Sequence, residues 1–452
     1  MNWTASTDRA KEAIAFLILM ILAARLISLL TPPFQSQDEF NHVKRAYLLS
    51  RGAVFITERT IDTGAGIDEG LLAYMNCFKD LPFNYSQKGG NSTALYCEEI
   101  HFTGTERFSE LPNTALYFPL AYTPQAIAFI VGRWTNLSVS NTYYLARILV
   151  LTATSLILLW AFLLYPPPLA SFVILSMPMS LFQFSAASLD SVSFALAALV
   201  AALFLAAMDT RHPFAVKSHA ALAVSIFILI TARLIFIPLI ALPIAIYWRR
   251  RSWYYLVSAS IVTAFAGAWI IFVLRTVHGS ALGYQRMPPI SEAVYYLSHP
   301  IELLSVFWRT FTDPNMIRSY WVSFVGLLGW LDTPLDPWVY FAMTALTIFA
   351  LLICFGAGQR SLDAGSVAPL AAAAIISLVF LFLFALVSWN STGTRVIDGV
   401  QGRYFYPTAI LLAYAFPWQA SGPRRRICLW IIALTAGAAM NDVTQKLLSR
   451  FW

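Results

Sequence analysis

Long apolar runs recur along the chain, separated by short basic stretches and by three long polar ones. A helix needs about 20 mostly apolar residues to cross a bilayer. By that measure segments 13–30, 143–164, 169–187, 192–208, 220–235, 238–248, 255–274, 338–355, 367–387, 404–418 and 427–440 predict about eleven transmembrane helices. The run 116–131 is also apolar, but Pro119 and Pro124 interrupt it. It is read as a juxtamembrane helix lying against the bilayer. The polar stretches are 31–142, 275–337 and 389–403. The pattern predicts an all-α polytopic membrane protein: one integral membrane domain over residues 1–452, with juxtamembrane helices in its first long loop.

Basic residues give the bundle a direction. Arg9 and Lys11 precede the first run. With the N-terminus inside and 116–131 not spanning, Arg211, Lys217, Arg249, Arg250, Arg251, Arg360, Arg424, Arg425 and Arg426 fall in short cytoplasmic loops. Counting 116–131 as a span would put these clusters outside, against the positive-inside rule. The three long polar loops and the C-terminal 441–452 are then external. Segment 13–30 is long for a signal-peptide core and lacks an A-x-A site before Thr31, so it is read as an uncleaved helix.

Composition agrees. Of 452 residues, 58% are hydrophobic and 12% charged, with a mean hydropathy of +0.65, which excludes an ordinary soluble protein. The net charge of +7 collects between apolar runs and implies membrane lipids rather than nucleic acid as partners. The cytoplasmic loops leave no room for a nucleotide-binding domain, and no Walker loop, G-x-G-x-x-G or G-x-S-x-G occurs. Any chemistry is expected at the outer surface. Cys77 and Cys97 share the first polar loop, where an external setting favours a disulfide; Cys354 and Cys428 lie in apolar runs and read as packing residues. Sequons such as those at Asn91 and Asn390 matter only in a eukaryotic secretory host.

The densest polar chemistry follows the first run, in PPFQSQDEFNHVKRAYLLSRG at 32–52. Pro32 and Pro33 end the span. Ser36 and Glu39 have capping-box spacing and predict a helix from Ser36, which puts Asp38 and His42 on one face. Asp38 and Glu39 are candidate catalytic acids; the bland alternative is that Glu39 caps and Asp38 favours the positive helix end. His42 either orients an acid or is a satisfied interfacial histidine. Asp190, near hydrocarbon, is costly unless paired or functional, or else it caps a helix with Ser188. A divalent ion on Asp38, Glu39 and Asp190 is chemically allowed, but the spacing is not diagnostic, and neither metal nor cofactor is expected.

The 32–52 run resembles the signature of a bacterial family of predicted membrane proteins of unknown function. That family is associated with cell-envelope polysaccharides and belongs to the GT-C glycosyltransferase superfamily. SMPMSLFQFSAASLDSVSFALA at 176–197, GLLGWLDTPLDP at 326–337 and GVQGRYFYP at 399–407 carry the same resemblance. Phe40 and Asn41 depart from the family's usual small or proline residue and alanine. The resemblance implies a GT-C-like fold and an inverting transferase using a polyprenyl-phosphate-linked sugar. Its acceptor would be an envelope glycan or lipid-linked saccharide.

In that superfamily an acid in the first external loop is the base, and the matching position is Asp38. The departing lipid phosphate needs cationic donors. Arg403 is the first expectation, then Arg233 and Arg147; snorkelling to the interface is the alternative for each. His42, Arg45, Asp190, Gln401 and Tyr404 complete the expected substrate-binding set. Lys44, Arg45 and Arg51 otherwise read as interfacial anchors and Tyr404 as an aromatic belt. Asp38 and Arg403 are expected to flank one cavity, the acid toward the acceptor and the arginine toward the donor phosphate. A flippase for a lipid-linked saccharide is the competing reading. It is disfavoured by the lack of a clear internal repeat and by charges at span ends rather than mid-span. A structural assembly subunit would not need Asp38.

Overall fold

A computed structural model of the protein describes residues 3–89, 93–210, 216–279, 289–356, 363–416 and 420–452. Arg211, Arg360 and Asn91 fall outside those residues. Among the described residues seven helices are long and apolar enough to cross a membrane: Ala10–Leu30, Val139–Leu164, Asp190–Met208, Tyr254–Thr276, Pro337–Phe355, Ala364–Trp389 and Gly422–Phe451. The protein is an all-α polytopic membrane protein with very little sheet.

The other four expected spans are shorter or interrupted, for local reasons. Val216–Ala232 has 17 residues. Segment 169–184 divides into Leu169–Ser176 and Pro178–Phe184, because Pro178 disfavours a helical residue before it and Met177 is held at ψ 138°. Arg233 is extended, ahead of a 3-10 turn over Leu234–Ile240 and the helix Ala241–Arg250. The next-to-last leg enters as a 3-10 turn, Gly402–Phe405, and continues as Tyr406–Ala415. Broken backbone at membrane depth is tolerated where it is buried in protein or lines a cavity. Here the breaks deliver Asp190, Arg233 and Arg403 to one place.

Asp190–Met208 is the central helix, 94% of its apolar window being buried. Its alanine-rich sequence lets Val139–Leu164, Tyr406–Ala415 and Val216–Ala232 approach closely.

The first polar loop is more ordered than its composition suggests. It folds into short helices and a three-stranded antiparallel sheet, Thr63–Asp68 pairing with Glu58–Arg59 on one side and Glu106–Glu110 on the other. Thr123–Trp134 has 12 residues. At 1.5 Å per residue it reaches about 18 Å, short of the ~30 Å hydrocarbon core. It packs instead along Glu39–Ser50 and Val139–Leu164. The second polar stretch likewise forms helices, Pro289–Ser298, Pro300–Thr312 and Pro314–Gly326, with exposed apolar residues such as Leu297, Ile301 and Trp308.

Contacts sort the chain termini onto two ends. The last helix finishes against the first loop, where Gly89 N–H donates to the Phe451 carbonyl at 2.7 Å and Arg450 donates to the carbonyls of Leu81 and Asn84; Arg450 also pairs with the buried Asp332 of the second polar stretch at 2.9 Å. At the other end Arg425 pairs with Glu12 at 2.7 Å and donates to the Pro167 carbonyl. Arg249 faces Asp363 there too, and Arg250 donates to the carbonyls of Ala207 and Asp209.

Candidate functional site

The helix after Pro32 and Pro33 begins at Glu39, not at Ser36. Only half of the capping box forms. The Ser36 amide donates to Glu39 Oε2 at 3.2 Å, while the Ser36 hydroxyl turns to Gln183 Oε1. Asp38 takes the N-cap position in a left-handed conformation, φ 60°, and its side chain caps nothing. Phe34 is also left-handed, φ 64°. Its amide donates to Tyr143 Oη at 3.0 Å and its carbonyl accepts from the Trp330 indole at 2.9 Å. Non-glycine residues in this region are strained and need such bracing.

Asp38 is thereby free to reach across to the far end of the chain. Its Oδ2 accepts from Arg403 Nη2 at 2.5 Å, and its Oδ1 from Asn113 Nδ2 at 3.2 Å. Arg403 Nη1 donates to Asp190 Oδ2 at 2.8 Å, and Asp190 Oδ1 accepts from Arg233. The result is an alternating row, Asp38–Arg403–Asp190–Arg233, in which each charge has an opposite neighbour. Arg233 and Arg403 both lie over the Tyr404 ring, 4.9 and 5.0 Å from its centroid.

A cavity of about 300 Å³ opens beside this row. Asp38, His42, Asn113, Tyr117 and Arg233 line it, and Gln401 and Tyr404 do so from the late part of the chain. Exposure separates the acids: the Asp38 side chain is 37% exposed and that of Asp190 is 0%. Burial raises the Asp38 carboxyl most, but the charge of Arg403, the neighbouring His42 and the Arg403 hydrogen bond together hold the group below its ordinary value. His42 faces the same space and bonds Tyr122 Oη through Nδ1 at 2.7 Å. Burial pushes its imidazole down to about 4, against the pull of Asp38 and Asp190, so it is neutral at pH 7.

Several expected residues stand elsewhere. Glu39 is fully buried, accepts from Tyr143 Oη and the Ala187 amide, both at 2.7 Å, and faces Arg147 at 3.6 Å. It locks the acidic segment to the bundle and does not line the cavity. Arg147 donates to the carbonyls of Ser28, Thr31 and Pro32, so it caps the end of the first helix rather than snorkelling. Arg45 donates to the carbonyls of Ala53, Val54 and Tyr117; it braces the backbone behind the cavity-lining Tyr117 and does not line the cavity itself.

Arg403 differs most from the sequence expectation. It does not stand apart from Asp38 across a cavity; the two touch. Its donors go to Gln401 Oε1, the Gln37 carbonyl, Asp190, Asp38 and Tyr404 Oη. A guanidinium has five N–H groups, so none is left over for a phosphate. Arg233, by contrast, lines the cavity and has a buried Nε without a partner. Asn113 and Tyr117 were not legible as site residues: they flank the start of the apolar run 116–131, with no motif around them.

Cys77 and Cys97 are disulfide-bonded, and Cys354 and Cys428 are free and buried. Among the described residues no group of His, Cys, Asp and Glu has the arrangement of a metal site.

A family model described as "Predicted membrane protein (DUF2142)" matches residues 19–412, and the chain belongs to that family. No curated protein matches the chain.

Proposed function

We propose that this member of the Predicted membrane protein (DUF2142) family is a GT-C-type glycosyltransferase. It would transfer a sugar from a polyprenyl-phosphate-linked donor to a cell-envelope glycan or lipid-linked saccharide at the outer face of the membrane. The observation that carries the reading is the meeting, in one cavity at the loop end of the bundle, of a partly exposed carboxylate, Asp38, with an arginine, Arg233, whose buried Nε has no partner.

The chemistry needs both. The acceptor hydroxyl gives its proton to Asp38 as its oxygen bonds the anomeric carbon. The phosphate leaves from the other face of that carbon with the bonding electrons, so configuration inverts. Arg233 supplies charge-assisted donors to the departing phosphate. Arg403 is a positioning residue: it aims Asp38 and keeps it ionised while its own donors stay within the protein.

Purified protein given defined polyprenyl-phosphate sugars and an acceptor fraction should release free polyprenyl phosphate. Losing a positioned base costs about 100-fold or more, so Asp38→Asn should abolish release while donor binding stays within about 3-fold. Arg233→Ala should weaken donor binding and turnover together. Transport of intact donor across vesicles without release of polyprenyl phosphate would favour the flippase reading instead.

A further inference from the structure

The helix Glu39–Ser50 borders two hollows. Asp38 and His42 line the cavity already described, whereas Phe40 and Lys44, four residues apart, line a second hollow of about 310 Å³ in the folded first loop. Leu72 and Met75 of the helix Glu69–Asn76 give it a buried apolar floor. Three cations line it, Lys44, Lys79 and Arg107, and among the described residues no carboxylate does. Lys79 and Arg107 are exposed, and neither pairs with a carboxylate among the described residues. The acids on the strand that carries Arg107 are engaged elsewhere. Glu106 accepts from Tyr47 Oη at 3.2 Å and faces Arg51 at 3.6 Å, and Glu110 takes the Thr60 hydroxyl at 3.3 Å. Lys44 gives two of its three N–H groups to neutral oxygens, Asn41 Oδ1 at 3.3 Å and the Glu110 carbonyl at 3.1 Å, so one remains. Burial pushes its ammonium down to about 8, against the pull of the Glu110 charge, so it is still charged at pH 7. Like charges around one hollow repel one another and draw in a counter-anion.

The hollow is also tied to the acid. Lys44 donates to Asn41, Asn41 Nδ2 donates to Asn113 Oδ1 at 2.7 Å, and Asn113 Nδ2 donates to Asp38 Oδ1 at 3.2 Å. Three hydrogen bonds and two amide groups put the Lys44 ammonium no more than about 14 Å from the Asp38 carboxylate. One short saccharide spans both.

We infer that this hollow holds an oxyanion of the acceptor, a carboxylate or phosphate diester carried on a glycan whose hydroxyl meets Asp38. That the ligand is the acceptor rests on the reaction proposed above, in which the donor phosphate already has Arg233 in the other cavity. Arg107 offers a planar fork to the anion, and the two lysines offer point charges. The walls come from a strand and short helices of the polar loop, not from a membrane span, which favours a glycan over a lipid headgroup.

The full-length protein in detergent, without donor, is titrated by calorimetry with trigalacturonate, with a glycerol phosphate trimer and with neutral galactotriose. A charged probe should bind about 10-fold more tightly than the neutral one, with a preference that shrinks as salt rises. The tighter of the two charged probes tells carboxylate from phosphate. Lys79→Gln with Arg107→Gln, both at exposed positions, should bring charged and neutral probes to within about 2-fold. Arg59→Gln removes an exposed cation outside the hollow and should keep the preference. Equal binding of all three probes by the unmodified chain, an equal loss in Arg59→Gln and in the double variant, or displacement of the charged probe by phosphatidylglycerol overturns the assignment. Because no donor is present, this result is separable from the reaction. Release of polyprenyl phosphate without a charge preference removes this site alone, whereas a charge preference without release keeps the anion site and removes its role toward an acceptor.

Discussion

At the scale of single residues, the charge row explains why neighbouring acids have different roles. Asp38 reaches the cavity, Glu39 points back into the bundle, and Asp190 is enclosed between two arginines. Removing one partner of a buried ion pair leaves an uncompensated charge and costs roughly 3–5 kcal/mol. Arg403→Ala strands Asp190 on one side and loosens Asp38 on the other. It should therefore lower the melting temperature in detergent markedly, whereas Arg233→Ala, at the edge of the row, should lower it less. Equal melting temperatures for Arg403→Ala and the unmodified protein would contradict the positioning role.

His42 adds a pH dependence. Its folded-state value, about 4, lies below the ordinary 6.5 because burial disfavours the charged ring. The unfolded chain binds a proton first as pH falls, so the stability His42 contributes is full above about pH 6.5 and is lost between there and pH 4. The loss is on the order of 3 kcal/mol. Melting temperatures across that range should fall more steeply for the natural protein than for His42→Gln; parallel curves would refute the assignment.

At the scale of elements, the interruptions matter more than the spans. The run 169–187 predicts a single span, and the structure breaks it at Pro178, since proline restricts the residue before it. The break at Arg233 falls close to where runs 220–235 and 238–248 were separated, whereas nothing in the apolar pattern signalled the 3-10 entry at Gly402. The capping-box spacing located the acidic segment but placed the helix start three residues early, because Ser36 has a tertiary partner in Gln183. The disulfide belongs to this scale as well. Cys77 and Cys97, 20 residues apart, join the end of Glu69–Asn76 to Thr93–Glu98. A crosslink of that span stabilises by about 3 kcal/mol in the chain-entropy model. Replacing both cysteines by serine should lower the melting temperature, and unreduced mass spectra of the natural protein should show both thiols blocked. Free thiols at both positions would remove the basis for the expectation.

At the scale of the whole molecule, the end contacts fix which segments share a side. The C-terminal helix finishes on the first loop, while Arg425, Arg249 and Arg250 gather at the far end. With basic loops inside, single cysteines placed in 31–114 and in 441–452 should be labelled from the outside of intact cells. A cysteine at Arg251 should be labelled only after permeabilisation. Labelling of Arg251 from outside, or of the first loop and the C-terminus from different sides, would break this topology.

The sequence by itself determined the class of protein, the approximate spans and the neighbourhoods of the site, because each depends on local hydropathy, on proline and on basic residues counted loop by loop. It also singled out Asp190 as an acid costly near hydrocarbon and, with the family resemblance, Asp38, Arg233 and Arg403 as candidate site charges. Only the tertiary structure decided how they pair, which acid opens into the cavity, and that Arg403 holds Asp38 while Arg233 lines the cavity with its Nε unpartnered. The reason is distance along the chain. Arg403 and Asp38 are 365 positions apart, and no periodic pattern reports a partner that far away. Burial and pairing are properties of the packed interior, where an opposite charge a few ångströms off outweighs local preference.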